Sequence, residues 1–255
     1  MRLKNKIALI TGAARGIGAA IAKALAKEGA DVIVNDINID GVGEVKKEIE
    51  SLGRKFVVIK SDVSYSKQVN EMVNKIIDVF GRIDILVNNA GGSLGTPYLL
   101  KDVTEEEWDK VIDVNLKGAF LCSKIVAEFM KKQRSGKIVN LSSKAGKYGG
   151  DIAGPQYVSA KAGISGLTRQ LAKELGPYGI NVNAIAPGLV LTKRVKKMWE
   201  TRKTKEEREE MLRAIALRRA STVEEQANVV VFLCSDEASY ITGTTIDVNG
   251  GWYMS

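Results

Sequence analysis

Tyr157 and Lys161 stand four residues apart in PQYVSAKAGISGLTRQLAKEL, a stretch with helical apolar spacing, so both side chains share one helix face. A free tyrosine, with a pKa near 10, is a poor base at neutral pH. An ammonium a few ångströms away favours the phenolate and lowers that value, giving a group that can take or return a hydroxyl proton. With 7 tyrosines in the chain, such a pair arises about once by chance, so its weight rests on its surroundings. Ser142 and Ser143, adjoining at the end of KIVNLS, offer hydroxyls that could orient a substrate oxygen. The chain has no histidine and two distant cysteines, Cys122 and Cys234, in apolar runs. That excludes a histidine base and leaves no soft-metal site, so no metal is expected.

A second constellation follows the apolar run IALI (7–10). Thr11-Gly12-Ala13-Ala14-Arg15-Gly16-Ile17-Gly18 opens a helical pattern, with glycines spaced Gly-x3-Gly-x-Gly. Glycines in a strand-to-helix turn let backbone approach a pyrophosphate, whose charge sits among the unpaired N–H groups of the helix start. Asp36 ends the next β-rich run. A carboxylate there accepts from the ribose hydroxyls of a dinucleotide and repels a 2′-phosphate, which favours NAD. Arg15 leaves NADP possible, because a guanidinium nearby could pair with that phosphate.

The elements that must hold these groups are legible from periodicity. IALI (7–10), DVIVN (31–35), FVVIK (56–60), IDILVN (83–88), KIVNLS (137–142) and INVNAIA (180–186) read as strands. They are continuous apolar runs, as expected where helices cover both faces of a sheet. Amphipathic segments lie near 17–28, 40–52, 66–80, 104–133 and 155–176. Gly29, Gly53, Gly81 and Gly136 stand where helices should stop. Ser66 marks one helix start, and Thr104 with Glu107 forms a capping box at another. Strand–helix alternation of this kind means an α/β fold with a parallel sheet and right-handed crossovers. No linker, repeat or low-complexity stretch divides the chain, so one domain over 1–255 is expected.

Hydrophobic content of 45%, with 25 glycines and 4 prolines, belongs to a globular chain. The N-terminus runs straight into the first strand and shows no signal peptide, and no apolar run approaches the ~20 residues of a membrane span. A cytoplasmic location is the expectation, and two buried thiols suit a reducing compartment. The net charge of +8 is spread among 30 acids. The dense stretch KRVKKMWETRKTKEEREEMLRAIALRR mixes both signs, as a solvated helix face does, so no nucleic-acid partner is expected.

TGAARGIG (11–18), Asp62-Val63, NNAG (88–91), Asn115, the serines closing the fifth strand, Tyr157-x-x-x-Lys161 and PGLVLT (187–192) occur in one order along the chain. In these it resembles the short-chain dehydrogenase/reductase family in its compact form, over essentially its whole length. The resemblance implies a single Rossmann-type, doubly wound parallel sheet in the order 3-2-1-4-5-6-7, with NAD(P) across the carboxyl ends of the strands. It implies that Gly12, Arg15, Gly16, Ile17, Gly18 and Asp36 hold the adenosine half of the cofactor. Asp62 and Val63 would border the adenine, and Asn89, Ala90 and Gly91 would lie beside the cofactor, while Asn88 could equally tie neighbouring strands together. Pro187, Gly188, Val190 and Thr192 would wrap the nicotinamide, with Val190 binding the carboxamide by its backbone and Thr192 by its hydroxyl. Tyr157 would exchange the proton of a secondary alcohol or ketone while hydride moves to or from the cofactor, and Lys161 would hold the nicotinamide ribose. The catalytic serine would be Ser143, with Ser142 behind it. Because the interval to Tyr157 is one residue longer than the family's, Ser142 stays open. Asn115 would hold a water linking Lys161 to solvent. Family members are usually tetramers, which makes a homotetramer the expectation.

Substrate identity falls to two segments, Lys144 to Gln156 and a lid over 189–219. The first offers Tyr148, Asp151 and Gln156; the second offers Met198 and Trp199. Each is more often a surface or lid residue than a substrate contact. Polar groups at the mouth suit a small polar alcohol, polyol or sugar, which is the reading taken, whereas a Met/Trp lid suits something more apolar. The alternative is a 3-oxoacyl-(acyl carrier protein) reductase using NADPH, to which Lys131, Lys132 and Arg134 could offer a docking patch. Against it stand Asp36 and Tyr178, which occupies a position commonly basic in those reductases. A more remote reading is a catalytically silent nicotinamide-binding sensor.

Overall fold

Continuous apolar runs become strands buried on both faces. The structure, a computed structural model, describes residues 1–254. Its strands are β1 (Ile7–Thr11), β2 (Asp31–Asp36), β3 (Phe56–Lys60), β4 (Ile85–Asn88), β5 (Gly136–Leu141), β6 (Ile180–Pro187) and β7 (Thr245–Val248). They form one sheet in the order β3-β2-β1-β4-β5-β6-β7, every pair parallel. The order is the one the resemblance implied.

The helices are α1 (Gly16–Lys27), α2 (Val42–Ser51), α3 (Ser66–Phe80), α4 (Glu105–Ile112), α5 (Gly118–Gln133), α6 (Ala145–Tyr148), α7 (Pro155–Leu175), α8 (Lys193–Arg202), α9 (Lys205–Ala214) and α10 (Val223–Cys234). Because side chains alternate along a strand, Ala8 and Ile10 of β1 face one helix layer and Leu9 the other. The first layer packs Ile21 and Leu25 of α1 and Val230 and Val231 of α10 on the sheet. The second packs Met72 and Ile76 of α3, Val126 and Met130 of α5, and Leu175 of α7. Each such side chain taken from water contributes roughly 1.5–3 kcal/mol before entropy is counted. Leu189, Trp199 and Ile215 form a small separate core under the lid.

Three local readings change. The segment over 104–133 is not one helix: a π-helical turn, Asp113–Lys117, separates α4 from α5. Ser66 is the first helical residue and makes no cap, whereas the Thr104–Glu107 box forms as read. Gly136 begins β5, and Arg134, at φ 54°, takes the left-handed position that ends α5. Glycine is needed at 136 because a Cβ there would strike the Met130 side chain.

Candidate active site

The carboxyl ends of the strands open on a cleft of about 750 Å³. Gly12 and Gly16 hold φ near +60°, and a Cβ on Gly12 would come 2.6 Å from the Ala90 Cα. A Cβ on Gly18 would come 2.5 Å from both the Gly12 carbonyl and the Asn89 amide nitrogen. Asn89 fastens this loop, its Nδ2 donating to the Thr11 and Gly12 carbonyls at 3.0 and 2.7 Å. The Thr11 hydroxyl in turn accepts from the Asn89 and Ala90 N–H groups at 3.1 Å. The result is a Cβ-free cradle at the start of α1, suited to phosphate oxygens.

Asp36 sits beside that cradle and accepts from the Ala14 and Asn38 N–H groups, each at 3.1 Å. Arg15 is exposed at the start of α1. Asp62 Oδ1 accepts from the Ser64 N–H and hydroxyl at 2.9 and 2.7 Å. Val63 is buried and closely apposed to Gly118, where a Cβ would come 2.7 Å from its Cγ2. Ile37 and Tyr65, each 61% exposed, line the same end of the cleft and offer apolar surface to a flat ring.

At the other end α7 presents Tyr157 and Lys161 to the cleft. Its seat on the sheet is polar: Asn88 donates to Ser123 and Asn140, and Asn140 donates to Thr168 of α7 at 2.9 Å. Ser143 faces the cleft, accepts from the Ala145 N–H at 3.1 Å, and lies against the Tyr157 phenol. Ser142, 3% exposed, turns toward α7, where its hydroxyl donates to the Lys161 carbonyl at 2.9 Å and meets the Ser165 hydroxyl at 3.2 Å.

The charge pattern around Tyr157 differs from the one read in the sequence. Lys161 Nζ donates to the Leu141 carbonyl at 2.7 Å and lies 5.6 Å from the Tyr157 ring centre. Burial brings its pKa down to about 7, and the Arg194 charge pushes the same way. Burial also raises the Tyr157 pKa, opposed by the Ser143 hydroxyl and by the positive charge of Arg194. Arg194 is thus a cation that favours the phenolate, while Lys161 holds its ammonium on a backbone carbonyl beside the ring. A raised value keeps the proton on the phenol, the form that donates to a ketone oxygen.

Asn115, in the π turn, accepts from the Gly92 N–H and donates to the Gly92 and Val111 carbonyls, all at 2.9 Å. All three bonds of its amide are to backbone. Gly91 keeps φ 146°, and any Cβ there would collide with the Asn115 side chain. Gly188 donates to the Val248 carbonyl at 3.1 Å, and Lys144 donates its N–H to the Pro187 carbonyl at 2.9 Å. Ile17 and Val190 also line the cleft. Thr192 caps α8 by accepting from the Val195 N–H at 3.4 Å, which leaves its own hydroxyl proton free to donate. Its methyl lies over Gly16, joining lid and glycine loop. The cradle, the Asp36 carboxylate and the half-buried tyrosine at the far end fit a nicotinamide dinucleotide.

A family profile described as enoyl-(acyl carrier protein) reductase matches residues 12–253. The 3-oxoacyl-(acyl carrier protein) reductase of Thermotoga maritima is 45% identical over 98% of this chain and 99% of its own. That of Staphylococcus epidermidis is 44% identical over 98% of this chain and 100% of its own. Among solved structures, levodione reductase superposes with a TM-score of 0.92 at 36% identity, covering 98% of both chains. NAD⁺-bound xylitol dehydrogenase gives 0.93 at 30% identity, covering 98% of this chain and all of that one. This chain belongs to the short-chain dehydrogenase/reductase family.

Family membership makes the chain an oxidoreductase and leaves its own cleft-wall residues to be read from the structure. Lys144 pairs with Asp151 at 2.7 Å and lies 4.1 Å from the Trp252 ring centre, closing one side. Arg202 donates to the Ile152 and Thr96 carbonyls at 2.7 and 3.0 Å, tying the lid to the substrate loop. Of the residues that the two substrate segments offered, Asp151 and Met198 line the cleft. Gln156 is buried and donates to the Thr96 hydroxyl and Pro97 carbonyl; Trp199 belongs to the lid core; Tyr148 packs on Tyr253. Arg194 was absorbed into a charged run in the sequence. Its place half a turn beyond Thr192 was the signal that could have set it apart.

Proposed function

We propose that this short-chain dehydrogenase/reductase reduces the ketone of a 3-oxoacyl thioester to the 3-hydroxyacyl thioester. What carries the reading is the 44–45% identity, over nearly the full length of both partners, to proteins named 3-oxoacyl-(acyl carrier protein) reductase. The neighbours named for levodione and xylitol are 36% and 30% identical. This places the weight on the reading held second from the sequence.

A reduced nicotinamide would supply the hydride. Gly12, Gly16, Ile17 and Gly18 would hold its pyrophosphate, Asp36 its adenosine ribose, Asp62 and Val63 the adenine edge, and Asn89 to Gly91 with Pro187 to Thr192 its other half. Ser143 donates to the ketone oxygen and Tyr157 delivers the proton. Lys161, with a pKa of about 7, is poised to relay protons as well as to hold the ribose. Asn115 positions the Gly91–Gly92 backbone beside them. Asp36, already bound by two N–H groups, would set a carboxylate where a 2′-phosphate would lie, so we assign NADH over NADPH.

The test is hydride transfer from NADH and from NADPH to acetoacetyl-pantetheine thioester, with the Tyr157→Phe variant alongside. Turnover that falls ~10²–10⁴-fold in the variant supports the reading. Failure to reduce any 3-oxoacyl thioester overturns it. A polyol or sugar ketone is the second reading, favoured by the resemblance in shape to a xylitol dehydrogenase with NAD⁺ bound. The same assay with pentuloses and hexuloses decides between them. A silent sensor is disfavoured by a Ser143, Tyr157 and Lys161 set that lines one cleft.

A further inference from the structure

Arg194 stands on the first turn of α8 and reaches across the cleft, where its guanidinium donates to the Gly91 carbonyl at 3.0 Å. It rests on Gly92, where a Cβ would come 2.5–2.6 Å from the guanidinium atoms. The glycine therefore makes the seat. Three other cations of the lid are neutralised locally, Lys196 by Glu200, Lys203 by Glu207 and Arg213 by Glu209, whereas Lys193 beside Arg194 also lines the cleft. Lys144, across the cleft, is neutralised by Asp151, and Asp113 by Lys117. Among the described residues no carboxylate forms an ion pair with Arg194. A guanidinium has five donors in a planar fork, and one carbonyl uses one of them. The remaining donors border the space in front of Tyr157 and Lys161, both of which feel the charge. Beyond them Leu94, Met198 and Trp252 give the cleft an apolar wall.

We propose that Arg194 recognises a carboxylate on the substrate, and that the site reduces oxo acids: ketones with a free carboxylate a few bonds away and an apolar remainder. A planar fork matches a carboxylate with two parallel charge-assisted hydrogen bonds. In the reaction the ketone carbon gains a hydride from the reduced nicotinamide and its oxygen takes the phenolic proton of Tyr157. The products are the hydroxy acid and the oxidised ring, and solvent reprotonates the phenolate. This extends the activity beyond thioesters and shares with the proposed function the hydride transfer and the Tyr157 proton, but not the substrate. The cofactor pyrophosphate is the other anion such a guanidinium could meet, so the experiment must separate the two.

With NADH, kcat/KM is measured for acetoacetate, for its neutral ethyl ester and for acetoacetyl-N-acetylcysteamine thioester. The full chain is compared with Arg194→Gln and Arg194→Lys. Arg194 is exposed and bonds one carbonyl, so both variants retain the fold, as circular dichroism will show. Arg194→Gln should lower the acetoacetate value ~10–100-fold, through KM, and at least tenfold more than the ester value. Arg194→Lys should recover most of the loss, and the NADH dissociation constant, read by fluorescence, should move less than ~3-fold. Equal losses on acid and ester with weakened NADH binding would give the guanidinium to the pyrophosphate and overturn the proposal. An unaffected acid, or an acid the parent protein does not reduce, would overturn it as well. Turnover of the thioester but not the acid would leave the proposed function standing, and the converse would remove it while keeping this inference.

Discussion

Lys161 links the chemistry to the stability of the chain. Its folded pKa of about 7 lies below the ~10.4 of an unfolded lysine. Between those values the unfolded chain binds the extra proton, so stability must rise with pH across that window, by up to about 1.4 kcal/mol per pH unit. Urea unfolding of the cofactor-free protein at pH 7 and 9 should show this rise, and Lys161→Met should flatten it. Arg194 makes a prediction of opposite sign. A cation stabilises phenolate and opposes a second ammonium, so Arg194→Gln raises the pKa of both Tyr157 and Lys161. The rising limb of the pH profile for alcohol oxidation should then move to higher pH. Tyr157 and Lys161 were legible in the sequence because their spacing alone puts them on one face of a helix. The direction of the Lys161 ammonium was not, since the Leu141 carbonyl that attracts it comes from a neighbouring strand twenty residues away.

At the scale of elements, the π turn between α4 and α5 does what an uninterrupted helix could not. The extra residue in that turn aims Asn115 at the Gly92 backbone, where one amide serves both the N–H and the carbonyl. Asn115→Ala leaves those groups unpartnered in a buried place. It should cost about 1–3 kcal/mol in chemical unfolding, with a lower kcat as the Gly91–Gly92 segment loosens. The glycine loop offers a sharper case. In Gly18→Ala the new methyl would need the space of the Asn89 amide and the Gly12 carbonyl. NADH affinity should fall at least tenfold while far-ultraviolet dichroism stays unchanged, which fluorescence titration will measure. The strands were readable because an apolar run covered on both sides has no other use for its residues. The π turn was hidden, because the apolar spacing of 104–133 is satisfied by a plain helix and the partner that breaks it is distant in sequence. The role of Gln156 was hidden in the same way, because its bonds to Thr96 and Pro97 join it to residues some sixty positions away.

For the whole molecule, the parallel sheet gathers every chemical group at one end. Lys131 and Arg134 lie at the other, flanking the Tyr178 ring at 5.5 and 5.4 Å, with Arg134 also donating to the Pro177 carbonyl. The patch read as a docking site is thus partly engaged within its own chain. Trp108 of α4 and Phe120 of α5 remain 38% and 42% exposed, large apolar groups on helices that flank the sheet. We expect self-association through these helices into a homotetramer. Light scattering should return four chain masses, and Phe120→Glu should lower that figure. The sheet order followed from resemblance and not from the runs, for β7 is short and half-buried along its length. No helix among the described residues is long and apolar enough to cross a membrane.

Asp36 bolts the glycine loop to β2 through the Ala14 N–H, and in the proposed function the same carboxylate would face the ribose. A lineage drifting toward the phosphorylated cofactor therefore meets an obstacle that a free-standing acid would not present. Removing the charge by Asp36→Ala also unfastens the phosphate cradle, so the intermediate loses the old cofactor before it gains the new one. Asparagine, which keeps the acceptor oxygen and drops the charge, is the step by which such a change of diet could begin.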